Sequence, residues 1–449
     1  MSSARITKLL PALFGAVAVV ELLGYQWAPV AAAAYVVVYL VLLPVCDTSE
    51  DACNPFWLYN LLASAMIASG VVYVTRLQAS LGFTLVDRLV LQDSAIILPI
   101  VALIFFNVGF FGSRLLPGHG SAPLELPERT YGWILGVLYI ALMANAIGFA
   151  FGGIPLLNPG VYKGSVWDGN ALVKALQQLV MIVPPVAVYL SAKAVGATRR
   201  WATLLVFGFL VFVVLLTTRN ILALLGIAVL VYVQYFGRRA LSRPALVALI
   251  FGGFVLLMFL GVLRGSLAMR PEARQRYVSE RLSDSLLANQ YEKLELAGFV
   301  TQMHFDHSQY PPGRFVFSGF YQLLPGQQPS DDQIFRGLFY GETWRRQPIA
   351  VPFSHVLYFE FGWAGVALGL ALVGFAAGRL YSWFVASPGL LSYSVFVNAL
   401  FLLLIKTLYG NLISRTDAVV VPVAYACVVF VLASAQRKRE RVGAVSDAA

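Results

Sequence analysis

Along most of this chain the polar residues come in short bursts, separated by apolar runs of about 20 residues, the length an α-helix needs to cross a hydrocarbon core of about 30 Å. Such runs lie near 8–24, 27–45, 57–75, 94–112, 131–151, 172–194, 201–217, 220–236, 245–263, 354–374, 391–409 and 418–435. They predict an all-α polytopic membrane protein with about twelve transmembrane helices. The stretch 201–236 tests the count, because as a single helix it would be about 54 Å long, too much for one crossing. Both flanking loops are basic, Arg199-Arg200 before and Arg238-Arg239-Arg243 after. Basic loops stay on one side of the membrane, so the stretch must cross twice. The turn is then Thr217-Thr218-Arg219-Asn220, which leaves Arg219 at or just below the membrane surface.

One polar stretch interrupts the pattern. Residues 264–353 divide the chain into nine spans (1–263), a large outer loop (264–353) and three spans with a basic tail (354–449). A connection of that length is usually functional or disordered. This one begins with Arg264, Arg270, Arg274, Arg276 and Arg281, and Pro271 suits a helix first turn. Helix formers dominate from Glu272 to Met303, and breaks follow at 310–315 and 323–332. The loop is therefore expected to be folded and mostly helical. Residues 76–93 carry Leu77, Leu81, Leu85 and Leu89 at helical spacing and predict a helix lying in the interface. Residues 152–171 predict an ordered, turn-rich loop with Lys163, Trp167 and Asp168 as handles.

Composition agrees with the periodicity. The 449 residues are 59% hydrophobic and 12% charged, against about 25% charged in a soluble domain. The net charge of +10 resides in short loops and in the tail from Arg437 to Arg441. That distribution orients the chain, with both termini inside and the large loop outside, and gives no basic stripe for nucleic acid. Arg5 and Lys8 precede the first run as in a retained signal anchor. Cys46 and Cys53 flank the acidic loop 47–52 on the inner, reducing side and are expected to be free thiols.

Several residues could carry chemistry. Arg219, Arg264 and Arg415 each stand where a span meets the outer surface, and Arg270 follows Arg264 closely. A guanidinium keeps its charge and matches phosphate oxygens, so such a group suits the diphosphate of a lipid-linked substrate whose tail stays in the bilayer. Snorkelling or pairing with acids is the plainer reading of any one loop arginine. The tenth run opens FSHVLYFEFGWAGVALG, with His355 near the surface and Glu360 about 7.5 Å deeper along a helix. A buried carboxylate needs a partner, such as Lys406 or an arginine, or a task as a base. His304-Phe305-Asp306-His307 offers two further bases; no second ligand set accompanies it, and no metal or other cofactor is expected. Tyr310, Tyr321 and Trp344, with Phe315 and Phe317, could stack on sugar rings. No P-loop, GxSxG, dinucleotide fingerprint or kinase set is present.

The layout resembles the Wzy-type O-antigen and oligosaccharide repeat-unit polymerases. The matching features are the Arg219 turn, Arg264 at the exit of span nine, and Tyr358-Phe359-Glu360-Phe361-Gly362 followed by Gly365. The resemblance implies a GT-C-like helical fold in a bacterial inner membrane, with the large loop periplasmic. It implies growth of a polysaccharide on undecaprenyl diphosphate, with lipid-linked oligosaccharides as donor and acceptor and a chain-length regulator as a possible partner. Two features depart from the pattern. No Arg-x10-Gly occurs in the 152–171 or 264–353 loop. Val351 stands where related O-antigen ligases carry a histidine, and His355 is seven residues before Gly362. A ligase using another acceptor and a lipid-linked glycan flippase are the alternatives.

Overall fold

Apolar runs become helices here because a helix satisfies its own backbone where water is absent. The computed structural model describes residues 3–48, 51–77, 93–116, 126, 128–152, 154, 176–216, 219–237, 241–250, 252–253, 296–302, 310–322, 334–335, 337–338, 351–409 and 419–428. Among these there is no strand. Helices α1 (Ser3–Glu21), α2 (Ala28–Cys46), α3 (Pro55–Leu77) and α4 (Asp93–Leu115) come first. They are followed by α5 (Tyr131–Gly152), α6 (Val183–Lys193, entered through a 3₁₀ turn), α7 (Gly196–Leu216) and α8 (Arg219–Phe236). After the large loop come α9 (Phe353–Ala386), α10 (Leu390–Phe401) and the apolar helix α11 (Val419–Val428). Seven described helices are long and apolar enough to cross a membrane, and Leu222–Phe236, Leu390–Lys406 and Val419–Val428 are shorter apolar helices. The chain is a helical, polytopic membrane protein.

Side-chain contacts sort the connections into two ends. At one end Trp57 of α3 donates its indole N–H to the Thr7 carbonyl of α1, and Arg114 of α4 reaches toward Ser382 of α9. At the other, Thr75 of α3 donates to Glu21 of α1 (2.8 Å), and the backbone N–H of Trp27 donates to Asp93. The C-terminal end of α6 packs Tyr189 against Tyr232 and Phe236 of α8, and α7 leaves from that same end. Hence α7 and α8 are separate, oppositely directed helices, as the basic loops required. The expected boundaries shift for α9, which reaches Ala386 instead of 374.

The tightest packing joins α4 and α9, which run in the same direction. A Cβ on Gly109 would stand 1.9 Å from the Ala371 carbonyl oxygen, one on Gly374 2.1 Å from that of Phe106, and one on Gly378 1.9 Å from the Ser113 hydroxyl. Without hydrophobic drive between helices in lipid, small residues let backbones approach and gain dispersion. The peripheral helices differ: α2 turns Val30, Val37, Val41 and Val45 outward, whereas α3 is mostly covered. Between α3 and α4, Asn60 and Asn107 exchange side-chain amide hydrogen bonds of 2.6 and 2.9 Å, which satisfies two polar groups where water is absent.

Near the end where α2 finishes, a buried ionic network closes the bundle. Arg243 grips Asp47 with both terminal nitrogens (2.7 and 2.6 Å) and lies over the Trp57 ring at 5.0 Å. Asn54 donates to the same carboxylate at 3.1 Å. Asp51 accepts hydroxyl hydrogen bonds from Tyr235 of α8 and Tyr381 of α9, and a backbone one from Cys53. Cys46 and Cys53 are free and buried, as expected. Burial, with the Asp51 carboxylate nearby, pushes the Cys53 thiol well above its usual value. The interfacial helix 76–93, the 152–171 loop and most of span nine lie outside the described residues.

Candidate functional site

The opposite end is built around a break in α9. Gly362 has φ +62° and ψ −156° inside the helix, a conformation only glycine holds without strain. The helix therefore bends sharply after Phe361. Leu357 shows how far: its Cδ1 sits 2.5 Å from where a Gly369 Cβ would stand, and its carbonyl oxygen 2.7 Å from that of Gly365. In a straight helix residues twelve positions apart would be about 18 Å apart. The segment 353–361 is thus an arm folded back onto its own span. The 24 residues after Gly362 give about 36 Å of helix, enough to cross alone. The expected depth of Glu360 below His355 assumed a straight helix and does not hold, because the arm does not follow the span's axis.

Glu360 is 4% exposed and takes two backbone hydrogen bonds from the large loop, Phe315 N–H to Oε1 and Val316 N–H to Oε2, both 2.9 Å. Those amides belong to a tight turn. Gly313 takes φ +83°, Arg314 N–H donates to the Pro311 carbonyl, and Phe317 N–H returns to Gly313. A carboxylate across successive amide hydrogens is a charge-assisted clip. Phe359, from the same arm, packs against Phe315 and Phe335 of the loop at 5.4 and 5.3 Å. The arm and the loop turn are therefore one packed unit.

His355 is on that arm, 2% exposed, with Nδ1 3.0 Å from the Ser354 hydroxyl. Arg314, which the spacing arguments passed over, is buried at 5% exposure with its guanidinium 4.8 Å over the Tyr321 ring. The YPPGRF break marked a turn there, but nothing in the sequence marked the arginine as buried. Lys406 is buried in a π-helical turn, Leu402–Lys406, on the stretch running from α10 toward this end. Such turns are frequent at functional sites.

The predicted residues divide as follows. His355 and Glu360 share the arm, and Glu360 engages loop amides. Tyr310 is half-buried with its ring edge-on to Phe315, and Tyr321 is half-buried with the Arg314 guanidinium over its ring. The exposed rings of this turn are Phe317 and Phe320. Arg219 opens α8 at the Glu360 end. Its side chain, together with Arg264, Arg270, Arg415, His304, His307 and Trp344, lies outside the described residues. Comparison with family models, curated proteins and solved structures finds no match.

Proposed function

We propose that this chain is an inner-membrane glycosyltransferase that polymerises lipid-diphosphate-linked oligosaccharide units. In this reading it has about twelve spans, both termini cytoplasmic and the 264–353 loop periplasmic. The observation that carries it is the folded-back arm, which buries His355 and clips the large polar loop to a membrane span through Glu360. A loop so anchored at the rim of the bundle can hold a sugar chain over a lipid whose tail stays in the bilayer.

The acceptor hydroxyl of one lipid-linked unit attacks the anomeric carbon of the growing chain. The bond from that carbon to the diphosphate oxygen breaks, and the lipid diphosphate leaves with the bonding pair. His355 takes the hydroxyl proton, with His304 and His307 as the other candidate bases; general base catalysis contributes roughly 10²–10⁴-fold. Glu360 holds the loop turn in place. Arg219, Arg264, Arg270 and Arg415 stabilise the charge gathering on the diphosphate, with fixed donors worth about 3–4 kcal/mol each. Tyr310, Tyr321 and Trp344 line the path of the sugar chain.

A ligase-type transfer to another acceptor uses the same donor chemistry. The test is reconstitution of the purified protein in liposomes with lipid-linked repeat units. A polymer ladder is expected, lost in Arg219→Ala while the protein stays inserted. Wild-type chain lengths in that variant would remove Arg219, and translocation without new glycosidic bonds would overturn the reading.

A further inference from the structure

The arm has two attachments: Glu360 fastens it to the outer loop, and Leu357 fastens it to its own span. At the span the seat is made by absent side chains. A Cβ on Gly365 would stand 2.5 Å from Phe361 Cβ as well as 2.7 Å from the Leu357 carbonyl oxygen. A Cβ on Gly369 would meet Leu357 Cδ1 at 2.5 Å and Cδ2 at 2.9 Å. Leu357 is 4% exposed, two residues from His355 and three from Glu360. The backbone at Gly362 leaves the bend angle open to whatever contact fixes it, since glycine is the permissive residue.

We propose that Leu357, seated on Gly365 and Gly369, is the positioning residue that sets the arm's angle and with it the placement of His355 and the clipped loop. The inference rests on the glycosyl-transfer reading for its catalytic consequence, but not for its geometry. Leu357 touches no reacting group; it acts through the arm. Misplacement of a reacting group by about 1 Å costs on the order of 10²-fold in rate.

The experiment is a double-mutant cycle with two readouts, in Cys427→Ser protein so that added labels are unique at the accessible positions. Spin labels replace Phe320 on the clipped turn and Leu372 on the span, both exposed. Pulsed EPR gives their distance in liposomes, and ladder synthesis gives kcat and KM. Gly365→Ala, opposed by a backbone oxygen, should shift or broaden the distance by on the order of one helical turn, about 5 Å. Gly369→Ala should shift the same distance and lower kcat about 10²-fold with KM for the acceptor held, while Leu357→Ala alone, which empties the seat, should broaden the distance. Adding Leu357→Ala to Gly369→Ala frees the room the new methyl needs, and should restore the distance and at least about tenfold of the rate. Leu357→Met, which keeps the seat filled, should behave as wild type.

An unmoved distance in Gly365→Ala, or no restoration of the distance in the double variant, would overturn the proposal whatever the activity. If wild-type protein forms no glycosidic bond, the functional reading falls while the distances still decide the arm.

Discussion

The two ends of this bundle use the same residue types for opposite purposes. At the Asp47 end, two carboxylates and an arginine from the segments that follow α2 and α8 meet Tyr235 of α8, Tyr381 of α9 and Trp57 of α3, side chain to side chain. At the Glu360 end, one carboxylate reaches the backbone of a loop from an arm that hangs on a glycine. The first arrangement fixes helices to one another. The second fixes a loop to a helical arm that turns at Gly362. A buried charge is costly in both, so its satisfaction shows where the fold needs certainty. Side chains lock helices together at one end, and a carboxylate holds loop backbone at the other.

The contrast can be broken by measurement. Arg243→Ala leaves the Asp47 carboxylate buried with its main partner gone, and should cost about 3–5 kcal/mol. It would be seen as a fall in thermal midpoint of the detergent-solubilised protein; Asp47→Asn added to it should recover part of the loss. A midpoint unchanged by Arg243→Ala would mean the network does not close the bundle. Glu360→Leu strips two loop amides of their acceptor, about 1–3 kcal/mol each. Its effect should be local: faster hydrogen exchange at Phe315 and Val316, with α4 and α9 protected as before. Equal loss of protection in α4 would erase the distinction between the ends. Gly362→Ala should cost about 1–3 kcal/mol through its backbone conformation and alter the arm more than the Asp47 end. The smallest effect concerns Cys53. The thiolate is the nucleophile, and the folded protein raises the thiol's pKa above its ordinary value, so alkylation at pH 8 should be negligible. Raising the pH toward 9 should speed alkylation of the unfolded chain and leave the native chain slow. Rapid native labelling would show that the closed end opens.

Much of the helical architecture could be read from hydropathy. The division of 201–236 into two helices followed from the arginines on both flanks, because orientation is a local property of short loops. What escaped was whatever depended on partners far away in sequence. Asp47, Asp51 and Arg243 were read separately, as an acidic loop between cysteines and as a marker of sidedness, although 196 positions separate one residue from the other. The same-side argument already placed them on one face; nothing in either segment announced the contact. At the other end, Glu360 was legible as a buried acid in need of a partner. Its partner was invisible because backbone amides carry no sequence signature. Gly362 stood out in the sequence as the end of the Tyr358–Gly362 pattern, whereas its positive φ bends the helix. Gly365 and Gly369 do permit close approach, but to Leu357 of the same helix.

The glycine seam between α4 and α9 also bears on biogenesis. Arg114 and Ser382, at the foot of that seam, are 268 positions apart. Helices emerge from the ribosome in order, so α4 must wait in the bilayer until most of the polypeptide has been synthesised. During that interval its glycine face is bare, a recognisable mark of an unfinished molecule for an insertase or a membrane protease. A nascent chain halted before α9 should be short-lived in the cell, however well its earlier helices have assembled.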